Sequence, residues 1–156
     1  MDVVYELTET QIQELHDLFK NEWWTKQRTL EDTRQCVQDS QICIGLVDDT
    51  KVAGFVRVIT DYTFKALIFD LIIKKQYRNK SLGKKLIHLV KSHEAIKDVP
   101  HFELYCLPEL RDFYRSCGFT DDINGIELLR YTTHSRPFKK TAQMRAYSHR
   151  YVVVHS

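Results

Sequence analysis

Apolar positions recur along this chain with two periods, and the switches between them lay out its elements. Val3, Tyr5 and Leu7 alternate with polar residues, which predicts a short first strand. Thr8-Glu9-Thr10-Gln11 then opens a helix with a capping-box pattern, and Ile12, Leu15, Leu18 and Phe19 give that helix one apolar face. Residues 21–27 form a connector carrying Trp23 and Trp24. Thr29, with Asp32 three residues on, starts a second helix bearing Leu30, Cys36 and Val37. Strands are predicted over residues 42–47 and 52–59. Asp48-Asp49-Thr50-Lys51 joins them in an antiparallel hairpin, because these turn residues tolerate tight geometry. Asp61-Tyr62-Thr63 turns the chain into Ala66-Leu67-Ile68-Phe69-Asp70-Leu71-Ile72-Ile73, a run apolar enough to read as a strand buried on both faces. Leu82, Leu86, Leu89 and Val90 then fall at helical spacing, and the helix is predicted to run as far as Ile96.

Asp98-Val99-Pro100 breaks that pattern. Phe102, Leu104 and Cys106 predict a strand, Pro108 opens a short helix ending near Ser116, and Gly118 stops it. Residues 126–131 and 147–154 also read as strands. Strands outnumber helices and are mostly linked as hairpins, with one strand–helix–strand crossover in the middle. The fold class is therefore α/β of the α+β kind: a mixed, mostly antiparallel sheet flanked by helices, and not a doubly wound one. Ser135, Pro137 and Lys139-Lys140 interrupt the pattern over residues 132–141, the only candidate boundary in the chain.

The segment Arg78-Asn79-Lys80-Ser81-Leu82-Gly83 lies between the apolar strand and the helix. A strand, a short basic loop and a helix opening at once make a backbone cradle for phosphate. The first turn of a helix leaves N–H groups unpaired at the positive end of its dipole. Gly83 lets a bulky anion approach the backbone, and Arg78, Lys80, Lys84 and Lys85 add fixed charge. The loop is expected to hold a pyrophosphate.

This element resembles motif A of the GCN5-related N-acetyltransferases (the GNAT family), whose fingerprint is Gln/Arg-x-x-Gly-x-Gly/Ala. Here it reads Arg78-x-x-Ser81-x-Gly83, with serine for the first glycine and Lys75 where proline is common. Phe113-Tyr114-Arg115-Ser116-Cys117-Gly118-Phe119 is similar to the Phe-Tyr-x-x-x-Gly-Phe that ends the family's next helix. The resemblance covers residues 3–131. It implies a GNAT domain over residues 1–131 with a splayed central strand pair. Residues 132–156 are then a C-terminal extension, an added strand packing on the same domain or on a dimer mate.

Composition agrees with a small enzyme. The chain has 156 residues, 43% hydrophobic and 28% charged, enough for one domain with a real core. A net charge of +2 gives no case for nucleic acid or an acidic membrane as partner. No apolar run is long enough to span a bilayer, and the N-terminus shows no charged-then-apolar signal pattern. The four cysteines lack C-x-x-C spacing and read as reduced thiols in a cytoplasmic protein. The seven histidines are scattered, so no metal site is expected.

The resemblance implies direct acetyl transfer from acetyl-CoA, as co-substrate, to a primary amine, and the small size favours a small-molecule acceptor. It places the pyrophosphate on the backbone of Asn79, Lys80, Ser81, Leu82, Gly83 and Lys84. The pantetheine arm would pair like an extra strand with Leu71 and Ile73, where a backbone N–H polarises the thioester carbonyl. It also puts Tyr114 beside the departing sulfur as general acid, and assigns the acceptor pocket to the segment between the first two helices. Trp24 there can face an ammonium group and Arg28 can grip a carboxylate, with Arg57, Asp61 and Tyr62 completing the pocket. Tyr114 is otherwise a core tyrosine, and Arg57 with Asp61 otherwise a local ion pair.

The base stays open. Asp70, an acid inside an apolar strand, either takes the amine's proton with a raised pKa or is hydrogen-bonded across the sheet. Glu103 and water are the other candidates. Two further functions also remain at this level. One is a non-catalytic CoA-binding regulatory module, which Ser81 and Lys75 permit. The other is a nucleic-acid or protein-binding domain using the basic loop and Lys139-Lys140. The apolar triplet closing residues 147–154 would be a liability on an open edge, so a homodimer through that segment is expected.

Overall fold

Both N-terminal helices begin where their capping residues place them in the computed structural model, which describes residues 1–132. The first helix, α1, spans Glu9–Lys20, and the second, α2, spans Leu30–Asp39. In each, the capping threonine accepts the N–H three residues on, and the residue there returns the bond to the cap (Thr8 with Gln11, Thr29 with Asp32). Ile12, Leu15 and Phe19 of α1 are buried, as their spacing predicts. In α2 the buried residue is instead a polar one. Thr33 is fully enclosed and its hydroxyl meets His16 Nδ1 of α1 at 3.2 Å, a partnership that helical periodicity of apolar residues does not reveal.

Five strands form one sheet in sequence order: β1 (Asp2–Val4), β2 (Ile42–Asp48), β3 (Lys51–Thr60), β4 (Lys65–Ile73) and β5 (His101–Leu104). The first three pairings are antiparallel, β2 with β3 and β3 with β4 as hairpins, whereas β4 and β5 run parallel across the helix α3 (Leu82–Lys91). The mixed, mostly antiparallel sheet read from the sequence is therefore the observed one. Phe55 and Ile72 pack with Leu15 and Phe19, so α1 lies on one face of the sheet. Gly54 and Ile73, one residue along on each strand, turn the other way, toward Leu86 of α3. A Cβ at Gly54 would come within 2.6 Å of Ile73 Cδ1 and 3.2 Å of the Ile72 carbonyl oxygen, so glycine is what allows β3, β4 and α3 to close up here.

Several expected elements differ. β4 is not buried on both faces: Ala66, Ile68, Asp70 and Ile72 are buried while the residues between them are half-buried. α3 ends at Lys91, and Ile96 is buried from the turn that follows rather than from the helix. Residues 126–131 form no strand, and Leu129 and Tyr131 stand almost fully exposed, since β-forming side chains alone do not supply a partner edge.

Backbone packing divides the chain into two units, the first ending at Leu104 and the second beginning at Tyr105. The first holds the sheet and α1 to α3. The second starts with a 3-10 turn over Pro108–Leu110, led by proline, and continues into α4 (Arg111–Arg115). Gly118 takes φ 92 just past α4, and the N–H groups of Gly118 and Phe119 bond back to Arg115 and Tyr114, the expected glycine stop. The strand expected over residues 147–154, with the dimer contact built on it, and Lys139-Lys140 lie outside the described residues.

Candidate active site

The strand that should carry a thioester is distorted where its one acid sits. Along β3 and β4, Phe55 faces Ile72 but Arg57 faces Phe69, so Asp70 and Leu71 together stand opposite Val56 in a β-bulge. Asp70 takes φ 55, a left-handed geometry that aspartate accepts more readily than most residues. Past the bulge, the Lys74 N–H donates to the Ala53 carbonyl of β3. Strand alternation then turns the backbone of Ile73, and of Leu71 two residues back, toward the opposite edge. β5 pairs with β4 only from Lys65–His101 to Ile68–Leu104, so this edge runs on from Phe69 to Ile73 beyond the reach of β5.

The loop that follows leads directly into a helix start. After a 3-10 turn (Lys75–Tyr77), Asn79 and Ser81 adopt φ 62 and 59 on either side of Lys80, and α3 starts at once. The Ser81 side chain makes no capping bond, so the N–H groups of the first turn of α3 have neither an intrahelical acceptor nor a side-chain cap. Asn79, Lys80, Ser81, Lys84 and Lys85 are exposed, while Leu82 and Gly83 are half-buried. Ser81 thus occupies the left-handed position that a glycine fills without strain. Ser81→Gly is expected to raise stability by about 1 kcal/mol, because left-handed geometry costs other residues roughly 1–2 kcal/mol and glycine's greater chain entropy offsets only part. Urea titration measures this, and a midpoint that falls instead would show the serine side chain to hold the loop.

Arg78 does not stand free to meet the anion. Its Nε donates to the Ile73 carbonyl at 2.9 Å and its terminal nitrogen pairs with Glu22, from the turn after α1. Arg78 therefore braces the loop against the α1–α2 connector and leaves Lys80, Lys84 and Lys85 as the outward charges. Nothing in local sequence marks Glu22 for this, since the two residues meet only in three dimensions.

Asp70 is the hub of a buried ion cluster. Arg28 donates to both of its oxygens, at 2.7 and 2.9 Å, and Arg57 Nε adds a third bond at 2.6 Å. Burial alone would push the carboxyl up, but the Arg28 hydrogen bonds and the two positive charges outweigh it and hold Asp70 below its ordinary value. The raised pKa expected of a general base is thus reversed, and the cross-sheet structural role is the one that the geometry supports. Arg57 does not pair with Asp61 either. Its second bond goes to Ser40 Oγ at 3.3 Å, while Asp61 accepts three backbone N–H groups of its own turn. Arg28 lies over Phe19 and Trp24, and Arg57 over Phe69. Trp24 is half-buried against the α1 core cluster, with the Arg28 guanidinium 6.0 Å from its ring.

Tyr62 is not drawn into this group. It sits exposed in the β3–β4 turn at the far end of the ladder, roughly 20 Å of strand from Leu71 at about 3.3 Å per residue. Glu103 on β5 is held by Lys65 Nζ at 3.0 Å, a bond that occupies the second candidate base.

In the second unit Tyr114 is buried on α4, edge-on to Phe113 and Phe119. Burial, with smaller contributions from Cys106 and Cys117, pushes its phenol well above the ordinary tyrosine value, so it stays protonated through neutral and mildly alkaline pH. Burial likewise raises the Cys106 thiol, and a neutral thiol is a poor nucleophile. Among the described residues no group of three or more His, Cys, Asp or Glu is placed to hold a metal ion, and no helix is long and apolar enough to cross a membrane.

Residues 4–129 match the family model described as an acetyltransferase (GNAT) domain. The N-acetyltransferase ycf52 of Pyropia yezoensis, itself uncharacterized, is 29% identical over 118 residues, 73% of this chain and 67% of that protein. Among solved structures, glucosamine-6-phosphate N-acetyltransferase from Arabidopsis thaliana superposes with a TM-score of 0.66 at 19% identity, over 85% of this chain and 98% of that one. An aminoglycoside 6'-N-acetyltransferase complexed with coenzyme A gives 0.60 at 16% identity, over 67% and 61%. At these identities the two structures speak for the fold.

Proposed function

From its place in the GNAT acetyltransferase family, to which the chain belongs by a domain match over residues 4–129, we propose that it moves an acetyl group directly from acetyl-CoA to the primary amine of a small molecule. The observation that carries this reading is the sequence of open strand edge, doubly left-handed loop and uncapped helix start running from Leu71 to Lys84. Pantetheine amides would pair with the edge at Leu71 and Ile73, and the Ile73 N–H would polarise the thioester carbonyl. The pyrophosphate would take the backbone N–H groups from Asn79 to Lys84, with Lys80 and Lys84 outside it.

Tyr114 is the proposed proton donor to the departing thiolate, supported by its motif position and by the burial that keeps it neutral. Asp70 and Glu103 are both engaged in ion pairs, so the amine is proposed to lose its proton to water. A neutral Cys106 supports transfer without a covalent intermediate. The cytoplasm is the proposed compartment, supported by four free cysteines. A homodimer through residues 147–154 is also proposed. Truncation after Lys140 is expected to give a monomer by sedimentation, and a truncated chain that still dimerises rules the tail out.

Calorimetry with acetyl-CoA tests the cradle. Gly83→Asp puts a carboxylate among the phosphate-facing amides and is expected to weaken binding by a factor of about 100 or more, the scale of close like-charge contact in a desolvated site. Equal binding by parent and variant would move the cofactor elsewhere. Initial-rate patterns with acetyl-CoA and amine varied together should intersect, and parallel lines would point to an acetyl-enzyme.

A further inference from the structure

One carboxylate serves two guanidinium groups at the α1–α2 face of the sheet. Asp70, its side chain 4% exposed, binds Arg28 and Arg57 at once, and both arginines are always charged, so Asp70 alone does not match the two positive charges it meets. Asp32 is the other carboxylate acting on Arg28, and its Oδ2 accepts the Thr29 N–H at the start of α2. A positive charge that is largely enclosed favours a further anionic partner. Arg57 is the deeper of the two, at 11% side-chain exposure, and Arg28 the more open, at 24%.

The two arginines are also held in position. Phe19, 4.9 Å from the Arg28 guanidinium, and Trp24, at 6.0 Å, back it, while Phe69 backs Arg57 at 4.9 Å. A guanidinium fixed on aromatic faces presents its free N–H edges in set directions, which suits the planar or tetrahedral oxygens of a carboxylate or phosphate. The cluster is also next to the open strand edge, because Asp70 directly precedes Leu71 in the bulge.

Building on the acetyltransferase reading, we propose that the acceptor amine also carries an oxyanion, a carboxylate or a phosphate, which Arg28 binds while Arg57 keeps Asp70 neutralised. The bound oxyanion then gives Arg28 a further negative partner beside Asp70 and Asp32. Arg28 becomes the specificity-determining residue, and the same contact sets the distance from anion to amine.

Matched acceptors test this with the full chain and acetyl-CoA: lysine against cadaverine and phenylalanine against phenethylamine for carboxylate, glucosamine 6-phosphate against glucosamine for phosphate. In at least one arm the anionic member should show kcat/KM ten-fold or more above its partner, and the arm that responds identifies the oxyanion. Arg28→Lys keeps the charge and loses the fork, so it should raise KM for that anionic acceptor ten-fold or more and shrink the ratio within the pair. A second reading needs no variant and no turnover: with CoA bound, the oxyanion-bearing acceptor of the responding arm and its N-acetyl product should raise the parent's melting temperature more than the matched amine without the oxyanion. Transfer at equal rates within every pair, or equal thermal shifts, overturns the oxyanion proposal and leaves the acetyltransferase standing. Failure to bind acetyl-CoA at all overturns the underlying reading, and this one with it.

Discussion

Asp70→Ala is expected to destabilise the fold by about 3–5 kcal/mol, the scale seen when one partner is removed from a buried ion pair. Two guanidinium groups would be left facing each other without their carboxylate, and alanine would have to hold the φ of 55 that Asp70 adopts at the bulge. For a chain of this size that corresponds to a fall in melting temperature on the order of 10 °C. Asp70→Asn separates the causes. Asparagine tolerates left-handed geometry and keeps one acceptor oxygen, so it should lose roughly half as much. The pH dependence follows from the same residue. The folded pKa is lowered relative to the unfolded chain, so the unfolded state binds the proton more readily. The contribution is fully present above the ordinary aspartate value and is lost as pH falls below it through the folded pKa. The parent should therefore lose stability over that acidic window while Asp70→Asn loses less. A variant that melts within about 1 kcal/mol of the parent would mean the cluster is solvated, contrary to its burial.

Tyr114→Phe should lower kcat by about 100-fold, within the usual contribution of a general acid, and leave acetyl-CoA affinity close to that of the parent. The substitution removes one oxygen from a buried ring whose packing against Phe113 and Phe119 is retained. Because burial raises the phenol well above its ordinary value, Tyr114 itself should cause no fall in the parent's kcat as pH passes 10. That neutrality also sets a cost. The tyrosinate left after proton transfer is strained, so reprotonation from solvent has to follow quickly and a solvent isotope effect on kcat is expected. A kcat equal to that of the parent returns Tyr114 to a purely structural role, and a large loss of acetyl-CoA affinity would mean that the hydroxyl orders the fold instead.

The regulatory-module reading rests on Ser81 and Lys75 and the polyanion-binding reading on the basic loop with Lys139-Lys140, and the structure alters the charge of that loop. Arg78 is paired with Glu22 and bonded to the Ile73 carbonyl, so the loop is held in place by the residue that sequence alone makes its leading cation. Lys80, Lys84 and Lys85 remain exposed.

What the sequence by itself determined is what local chemistry dictates. Thr8 and Thr29 announce their helices because a capping box is closed by residues three apart. Asp49 and Thr50 make the tight connection between β2 and β3 because few residue types accept its geometry, and Gly118 ends α4 for the same reason. The strand–loop–helix around Ser81 is legible because its residues are contiguous and a helix start carries its own field. Tertiary structure decided everything that depended on partners distant in the chain. The sequence shows Asp70 as one acid in an apolar strand, equally a base or a brace. Arg28 and Arg57, 42 and 13 residues away, set its charge state. Thr33 beneath His16, Glu22 beside Arg78 and the early end of β5 are of the same kind. Side-chain periodicity reports which face is buried, but pairing energies depend on distance in space, and only the fold brings those groups within reach.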